Sequence, residues 1–349
     1  MLFSAFFNHL LFGCVIFAIS LLITRIILRK VRIIDIPNQR SSHSSPKPKS
    51  GGIAIIFSFF VGITAIYLFG DKTPITEKYF LGFMASVLAI SAVSFYDDIK
   101  NRPFIVKLSV QIAAAIVAVS FGIVLDVVAM PVFGYISLGW WAYPLTVLWI
   151  VGLTNVYNFM DGLDGLAAGT AVLVSLFFSY ISYSQGSTFI YITSFSLFAG
   201  SLGFLLYNFP PAKIFMGDIG SAFLGFTFAT MAIIAARYDH SHTSFFVIPL
   251  LLFHFLFDTS LTFIRRLKKG ENITEAHRTH LYQLCNRMGL SHRAVSLMQY
   301  GMCIAQGAGA LIMVRLTGSD RLLVFIPFLL LQSVYAWIVL SKAKKQQLI

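Results

Sequence analysis

Residues 219–236 read IGSAFLGFTFATMAIIAA, a run without a single charged side chain. Residues 9–28, HLLFGCVIFAISLLITRIIL, form a second apolar run, interrupted only by one arginine. A membrane-spanning helix needs roughly 20 consecutive, mostly apolar residues. Each run therefore predicts a transmembrane helix, and the first is too long for the apolar core of a signal peptide.

Runs of this kind recur along the whole chain and predict eleven spans. They lie at about 9–28, 52–70, 79–96, 104–125, 141–159, 165–184, 188–207, 219–236, 244–264, 295–315 and 322–341. We therefore expect an all-α, polytopic integral membrane protein with one transmembrane domain over residues 1–349. The segment 126–140 contains a proline and two glycines and is a candidate for an additional re-entrant piece.

The composition supports this fold class and excludes several others. Hydrophobic residues make up 57% of the 349 residues and charged residues only 11%, whereas soluble domains carry about 25% charged residues. Disordered, coiled-coil, soluble secreted and nucleic-acid-binding proteins are excluded. The three cysteines have no CxxC spacing, so no disulfide framework or zinc site is indicated.

The distribution of basic residues predicts the orientation in the membrane. With the N-terminus outside, 21 lysines and arginines fall on the inner side and 5 on the outer side. Positively charged loops stay in the cytoplasm. This rule places the C-terminus in the cytoplasm and explains the net charge of +12 without nucleic acid.

Almost every polar cluster of the chain falls on the predicted inner side. The clusters are Asp97–Asp98; Asn155, Asn158, Asp161 and Asp164; Asn208, Lys213 and Asp218; Asp258; and His277, Arg278, His280, Tyr282 and Gln283. Carboxylates near the hydrocarbon edge are costly and mark functional sites. Their convergence on one face predicts a shared site. Within it, Asp258 is expected to bind Arg265 or Arg266 and so orient the long loop that contains residues 277–283.

The residue types indicate a metal-bound diphosphate as ligand. Clustered carboxylates repel one another unless a cation joins them, and oxygen ligands suit Mg²⁺ or Mn²⁺. Neighbouring lysines, arginines and histidines suit phosphate groups. Glycines in the segments 161–165 and 217–221 permit the backbone to approach a ligand closely. In both segments a helix start is predicted to follow, and its free backbone N–H groups can bind an anion.

Two other classes of protein are weighed against an enzyme. A cation-coupled transporter would place charges near the bilayer midplane in repeated halves, but here the charges lie at one surface and no repeat is visible. A purely structural membrane protein would not need so many acids on one face. His292 and Arg293 are interpreted as a solvated helix start.

The ordered motifs resemble the polyprenyl-phosphate N-acetylhexosamine-1-phosphate transferase superfamily, glycosyltransferase family 4, which includes MraY- and WecA-like enzymes. The matching segments are IPNQRSSH at 36–43 followed by Gly51-Gly52, YDD at 96–98 with Lys107 and Gln111, NVYNFMDGLDGL at 155–166, NFPPAKIFMGDIGS at 208–221, and Asp258 with HRTHLYQ at 277–283. Adjacent aspartates alone are a weak signal, whereas the ordered set covers nearly the whole chain.

The resemblance implies roles for individual residues. Asp218 would be a Mg²⁺ ligand, and Asp97 and Asp98 the pair that contacts the metal or activates the lipid phosphate. Other residues would line the catalytic cleft or face the phosphates and the sugar: Asn158, Asp161, Lys107, His277, Arg278 and His280. The nucleotide would be held by a further set, with Phe215 stacking on uracil: Asn155, Gly162, Leu163, Asp164, Asn208, Phe215, and Lys47 or Lys49.

The resemblance also implies the reaction, the transfer of HexNAc-1-phosphate from a UDP-HexNAc to undecaprenyl phosphate, with release of UMP. The long loop lacks the consecutive histidines of the MraY branch, which favours the branch that initiates O-antigen and surface-glycan synthesis with UDP-GlcNAc or a 6-deoxy-HexNAc such as FucNAc or QuiNAc. The muramoyl-pentapeptide transferase of peptidoglycan synthesis stays open as an alternative. The expected location is the bacterial inner membrane, with the site on the cytoplasmic face, and a homodimer is compatible with the resemblance.

Overall fold

A computed structural model describes residues 2–31, 33–37, 45–69, 77–100, 103–130, 134–239, 243–272, 275, 277–316 and 318–349. Part of the first-loop motif, at 38–43, lies outside these residues. The fold is a bundle of helices with two small antiparallel strand pairs, the first of which joins β1 (Ile34–Asp35) to β2 (Lys47–Pro48).

Helices account for all of the predicted apolar stretches. They are α1 (Leu2–Lys30), α2 (Gly52–Phe69), α3 (Glu77–Lys100), α4 (Phe104–Ser120), α5 (Ala142–Phe159), α6 (Leu166–Ser184), α7 (Thr188–Asn208), α8 (Gly217–Arg237), α9 (Val247–Leu251), α10 (Phe253–Lys268), α11 (Leu281–Arg287), α12 (His292–Met313) and α13 (Phe325–Lys345). Within the described residues, seven helical segments are long and apolar enough to cross a membrane: Phe7–Lys30, Glu77–Lys100, Leu166–Ser184, Thr188–Asn208, Gly217–Arg237, His292–Met313 and Asp320–Lys345. The chain is an all-α, polytopic membrane protein, as predicted.

The segment 126–140 differs from the prediction of a re-entrant piece. Helix α4 ends at Ser120, and strands β3 (Val127–Met130) and β4 (Gly134–Ser137) then pair antiparallel. Valine and isoleucine side chains in these strands favour extended backbone. The hairpin is tied at its base by the Leu138 N–H, which donates to the Asp126 carbonyl at 2.8 Å.

The ninth predicted span, 244–264, is two helices, because α9 ends at Leu251 and α10 begins at Phe253. The short helix α11 follows in the long loop and was not predicted. Its seven residues are too few for a recognisable apolar period.

Helix α8 is the centre of the bundle and positions the site. Residues 219–235 are all buried, which explains why this helix is apolar on every face. It packs against α2, α3 and α5. Gly52 of α2 lies so close to the Gly220 backbone that a Cβ at Gly52 would overlap it. The N-terminus of α8, with Asp218, is therefore held beside the ends of α3 and α5.

Candidate active site

A lysine ammonium lies between two carboxylates at the N-terminal end of α8. Lys107 Nζ is 2.6 Å from Asp97 Oδ2 and 2.5 Å from Asp218 Oδ2. The three side chains come from the last turn of α3, the first turn of α4 and the first turn of α8. Two carboxylates this close require a cation between them, because their mutual repulsion would otherwise be uncompensated.

Amide side chains at the end of α5 complete this cluster. Asn158 Nδ2 donates to Asp218 Oδ1 at 3.1 Å and to Ser221 Oγ at 2.8 Å. One turn earlier, Asn155 Nδ2 donates to Gln111 Oε1 at 2.5 Å. Ser221 lies three residues after Asp218, so both face Asn158 from one side of α8. Sequence reasoning had not assigned Ser221, although this spacing on a helix could have indicated it.

Asp98 has surroundings quite different from those of its neighbour Asp97. Its Oδ1 accepts the Asp218 backbone N–H at 3.0 Å, and its Oδ2 accepts the Ser50 hydroxyl at 2.9 Å. The side chain is buried. Asp98 therefore holds the start of α8, whereas Asp97 contacts the lysine.

Lys107, Asp97, Asp218 and the two asparagines form one wall of a cavity of about 670 Å³, which Asp98 and Ser221 do not line. Polar and charged residues line it from α3, α4, α5, α8, α10 and the loop before α11: Ser94, Asp97, Lys107, Gln111, Asn155, Asn158, Asp218, Thr259, Thr262, Arg266, Glu275, His277, His280 and Gln283. Phe104, Phe159 and Phe263 add apolar surface. The cavity therefore combines acids, a lysine and histidines with an apolar wall.

The rings of His277 and His280, which both line the cavity, are stacked with their centroids 4.8 Å apart. Burial, together with the charges of His280, Arg266 and Arg265, lowers the pKa of His277 to about 4. His277 is therefore neutral at pH 7 in the free protein. A neutral imidazole can both donate and accept a hydrogen bond.

Asp258 orients the long loop, but its partners are not the predicted arginines. Its carboxylate accepts the backbone N–H groups of Leu281 and Tyr282, and it lies 3.3 Å from His280 Nδ1. Arg265 instead donates to the Thr279 carbonyl. Arg266 donates to Glu271, to the Asn272 carbonyl and to the Glu275 carbonyl. The loop thus folds back over the end of α10.

A second charged cluster surrounds Asp164, which is buried. Ala212 N–H donates to Asp164 Oδ2 at 2.9 Å, Lys47 Nζ lies 3.4 Å from that oxygen, and His292 Nδ1 lies 3.3 Å from Oδ1. Burial alone would raise the pKa of Asp164, but the hydrogen bonds from His292 and Ala212 and the charge of Lys47 hold it at about 2. His292 begins α12, as expected from the sequence, but it is mostly buried and pairs with Asp164 instead of being solvated.

Phe215 and Asn208 lie near this second cluster. Lys47 Nζ is 5.1 Å from the centroid of the Phe215 ring, a cation–π distance. Asn208 accepts the Gly165 N–H and donates to the Ile214 carbonyl. Asn208 therefore joins two loops and is buried between them.

The remaining predicted site residues do not line the cavity. A Cβ at Gly162 would overlap the Tyr282 hydroxyl, which donates to the Phe159 carbonyl. Leu163 is buried. Burial and the charges of Asp218 and Asp98 raise the pKa of Asp161 well above its usual range. Lys49 and Arg278 also lie outside the residues that line the cavity.

The cluster around Lys107 suits a divalent cation that binds together with substrate phosphates. Among the residues that the structure describes, no three histidine, cysteine or acidic side chains form a metal-binding group by themselves. Mg²⁺ in proteins uses one or two carboxylates and completes its shell with water and substrate phosphates. The lysine ammonium already marks a cation position between Asp97 and Asp218, so the donor set fits.

Fold and cavity together define a polytopic membrane protein with an enzyme-like polar site at one end of its helices. The family model for glycosyl transferase family 4 matches residues 80–236, which include Asp97, Lys107, Asn158 and Asp218. The chain belongs to this family, the polyprenyl-phosphate N-acetylhexosamine-1-phosphate transferases, and it is a transferase.

Three relatives illustrate this membership. The chain is 37% identical over 287 residues to a probable undecaprenyl-phosphate N-acetylglucosaminyl 1-phosphate transferase of Bacillus subtilis (strain 168), covering 80% of this chain and 78% of the relative. It is 29% identical over 304 residues to the decaprenyl-phosphate N-acetylglucosaminephosphotransferase of Mycobacterium tuberculosis (strain ATCC 25618 / H37Rv), covering 79% and 74%. It is also 34% identical over 262 residues to a phospho-N-acetylmuramoyl-pentapeptide-transferase of Pelagibacter ubique (strain HTCC1062), covering 67% and 71%.

Proposed function

We propose that the chain transfers HexNAc-1-phosphate from a UDP-HexNAc to undecaprenyl phosphate and releases UMP. One observation carries the proposal: Lys107 lies between Asp97 and Asp218 in a cavity that also contains two stacked histidines. This arrangement suits two phosphorylated substrates that must be brought together. Membership of the family and the activities named for the relatives support it.

In the proposed reaction, an oxygen of the lipid phosphate attacks the sugar-bearing β-phosphorus. A new phosphoanhydride bond forms as the bond between the β-phosphorus and the bridging oxygen breaks, and UMP leaves with that oxygen. The main barrier is the approach of two anions. Lys107, His277 and His280 would hydrogen-bond the phosphate oxygens and stabilise the developing charge, while Asn158 fixes the Asp218 side chain. Holding both substrates in line supplies the entropic part of catalysis.

We assign a Mg²⁺ site, which Mn²⁺ could also fill, to Asp218 and Asp97. When bound there, the metal would neutralise and orient the diphosphate. Asp98 would act indirectly, because its oxygens already accept the Asp218 N–H and the Ser50 hydroxyl. A phosphate monoester is largely ionised at pH 7, so a dedicated base for the lipid phosphate contributes little.

The uridine is assigned to the second cluster. The partly buried Phe215 would stack on uracil, with Lys47 near the ring and Asp164 held ionised beside it. This assignment separates the nucleotide base from the reacting phosphates. It gives Gly162, Leu163 and Asn208 a supporting role in shaping the loops around the base.

The donor that we propose to test first is UDP-GlcNAc, since the Bacillus and Mycobacterium relatives are named for N-acetylglucosamine. The reaction would initiate lipid-linked O-antigen or another surface glycan. We further propose eleven spans in the inner membrane, with the N-terminus outside and the cavity on the cytoplasmic face. The one-sided distribution of lysine and arginine supports this orientation.

The test is a transfer assay on purified protein with Mg²⁺, undecaprenyl or decaprenyl phosphate, and a panel of labelled UDP-HexNAc donors. The panel includes UDP-GlcNAc, 6-deoxy-HexNAc donors and UDP-MurNAc-pentapeptide. We expect label in the lipid extract from one HexNAc donor, and its loss with EDTA. Transfer from UDP-MurNAc-pentapeptide alone would contradict the proposed donor class, and label in lipid without any divalent cation would contradict the metal assignment.

A further inference from the structure

Asp258 carries a buried charge in the middle of α10, and the structure gives it a precise set of partners. Its exposed fraction is 3%. The carboxylate accepts the Leu281 N–H at 2.8 Å and the Tyr282 N–H at 3.1 Å, and the Thr262 hydroxyl donates to it at 3.2 Å. The fourth partner is His280, whose Nδ1 lies 3.3 Å away.

Capping the short helix α11 explains only part of this arrangement. The backbone N–H groups at the start of a helix need acceptors, and a carboxylate supplies them. A buried carboxylate is nevertheless costly unless hydrogen bonds compensate it. The contact with an imidazole is not needed for capping, and it couples the carboxylate to a residue that lines the cavity.

The hydrogen bond decides which nitrogen of His280 carries the proton. An ionised carboxylate only accepts hydrogen bonds, so Nδ1 must donate to Asp258, and in the neutral ring Nε2 is then the acceptor. The ring orientation is also fixed by stacking on His277 and by contact with Tyr282. His280 lines the cavity, so with Nδ1 held by Asp258 the nitrogen left for the contents of the cavity is Nε2.

We infer that Asp258 is a positioning residue for His280: it keeps Nδ1 protonated and leaves Nε2 to meet a phosphate oxygen in the cavity. The inferred effect on turnover rests on the proposed function. The inferred tautomer and ring orientation do not, because they follow from contacts within the protein and not from the reaction.

The tautomer is tested first, by nitrogen NMR of protein labelled with ¹⁵N-histidine in detergent micelles. The His280→Gln variant identifies the His280 signals. In the neutral form of the ring we expect Nδ1 to carry the proton, and we expect Asp258→Asn to shift the signals toward the Nε2–H tautomer. An Nε2–H tautomer in the unsubstituted protein, or identical His280 signals with and without Asp258, would overturn the inference whatever the donor sugar is.

Turnover is tested by a double-mutant cycle with Asp258→Asn and His280→Gln. We expect Asp258→Asn to lower kcat by about 10- to 100-fold, the range for loss of a carboxylate that orients a functional histidine, with little change in KM. In the His280→Gln background the same change should alter kcat less than twofold, because a residue acting through His280 has nothing left to position. Equal losses in both backgrounds would overturn the inference.

A matched control separates these effects from general damage. Asp126 pairs with Arg237 at the far end of α8, so Asp126→Asn removes a paired carboxylate away from the cavity and should leave kcat unchanged. Thermal unfolding in detergent reports whether each variant is folded. An unsubstituted protein that transfers no sugar would count against the proposed function, and the NMR result would still decide the inference about Asp258.

Discussion

Replacing Lys107 with methionine removes the cation between Asp97 and Asp218 but keeps a side chain of similar length. Its ammonium contacts both carboxylates, at 2.6 and 2.5 Å. Breaking a fully buried ion pair by removing one partner costs about 3–5 kcal/mol, because the remaining charge is left uncompensated. Here Asp97 is buried but about a third of the Lys107 and Asp218 side chains is exposed to solvent, which screens their charges. We therefore expect the metal-free variant to lose about 1–3 kcal/mol of stability.

For a chain of this length, such a loss corresponds to a fall in Tm of about 1–4 °C. The assay is thermal unfolding of purified protein in detergent with EDTA, and Lys268→Met, at an exposed lysine of α10, is the matched control. We also expect Mg²⁺ to raise the Tm of Lys107→Met more than that of the unsubstituted protein. The reason is that a divalent cation can replace the missing charge and no longer competes with the ammonium.

We expect turnover of Lys107→Met to fall by about 10²–10³-fold, the range for removing one group that stabilises transition-state charge. A Tm equal to that of Lys268→Met, together with an unchanged response to Mg²⁺, would refute the reasoning about the cluster. Turnover within twofold of the unsubstituted protein would refute a role for Lys107 in catalysis.

Three further predictions concern stability, each followed by thermal unfolding. Asp164→Asn should lower the free energy of unfolding by about 2 kcal/mol at pH 7, because the pKa of Asp164 is held at about 2 against about 3.9 in an unfolded chain. The difference in stability between the two proteins should vanish as the pH falls from about 4 to 2. A difference that stays constant over this range would contradict the prediction. The pKa of His277 is lowered to about 4 in the folded protein, so between pH 4 and about 6.5 the unfolded protein binds more protons at this residue than the folded protein does. The free energy of unfolding should therefore rise with pH across this window, and the rise should be smaller in His277→Gln. Parallel pH profiles of the two proteins would disprove this. Gly52→Ala should lower the free energy of unfolding by about 1–3 kcal/mol, because the added Cβ overlaps the Gly220 backbone. The control is Gly301→Ala, which should cost no stability because no atom lies within 4 Å of the added Cβ. Equal effects of the two substitutions would argue against the close approach of α2 and α8.

The helices were predictable because apolar length is a local property of the sequence. Helix α8 is the clearest case, since a run apolar on all faces must be buried or lipid-facing wherever it lies. The break between α9 and α10 was not predictable. There the Gln306 side chain from α12, with its amide NH₂ turned toward the Leu251 carbonyl, donates to that carbonyl and accepts the His254 N–H. This contact depends on a helix distant in sequence.

The site was predictable as a set of residues but not as a set of contacts. Asp97 and Asp98 are neighbours in sequence, yet one contacts Lys107 and the other holds the start of α8. Successive side chains on a helix point about 100° apart, and only packing against other helices decides which one faces the cavity. The partners of Asp258 and His292 likewise come from segments distant in sequence, so they could not be read from local motifs.

The central claim is that a phosphosugar, not the sugar alone, moves to the lipid. The most direct test is to identify the nucleotide released when the protein is incubated with UDP-GlcNAc, undecaprenyl phosphate and Mg²⁺, beside an Asp218→Ala variant shown to be inserted in the membrane. The account predicts one UMP for each lipid-linked diphosphosugar from the unsubstituted protein and no product from Asp218→Ala. Release of UDP, or undiminished turnover by Asp218→Ala, would contradict it.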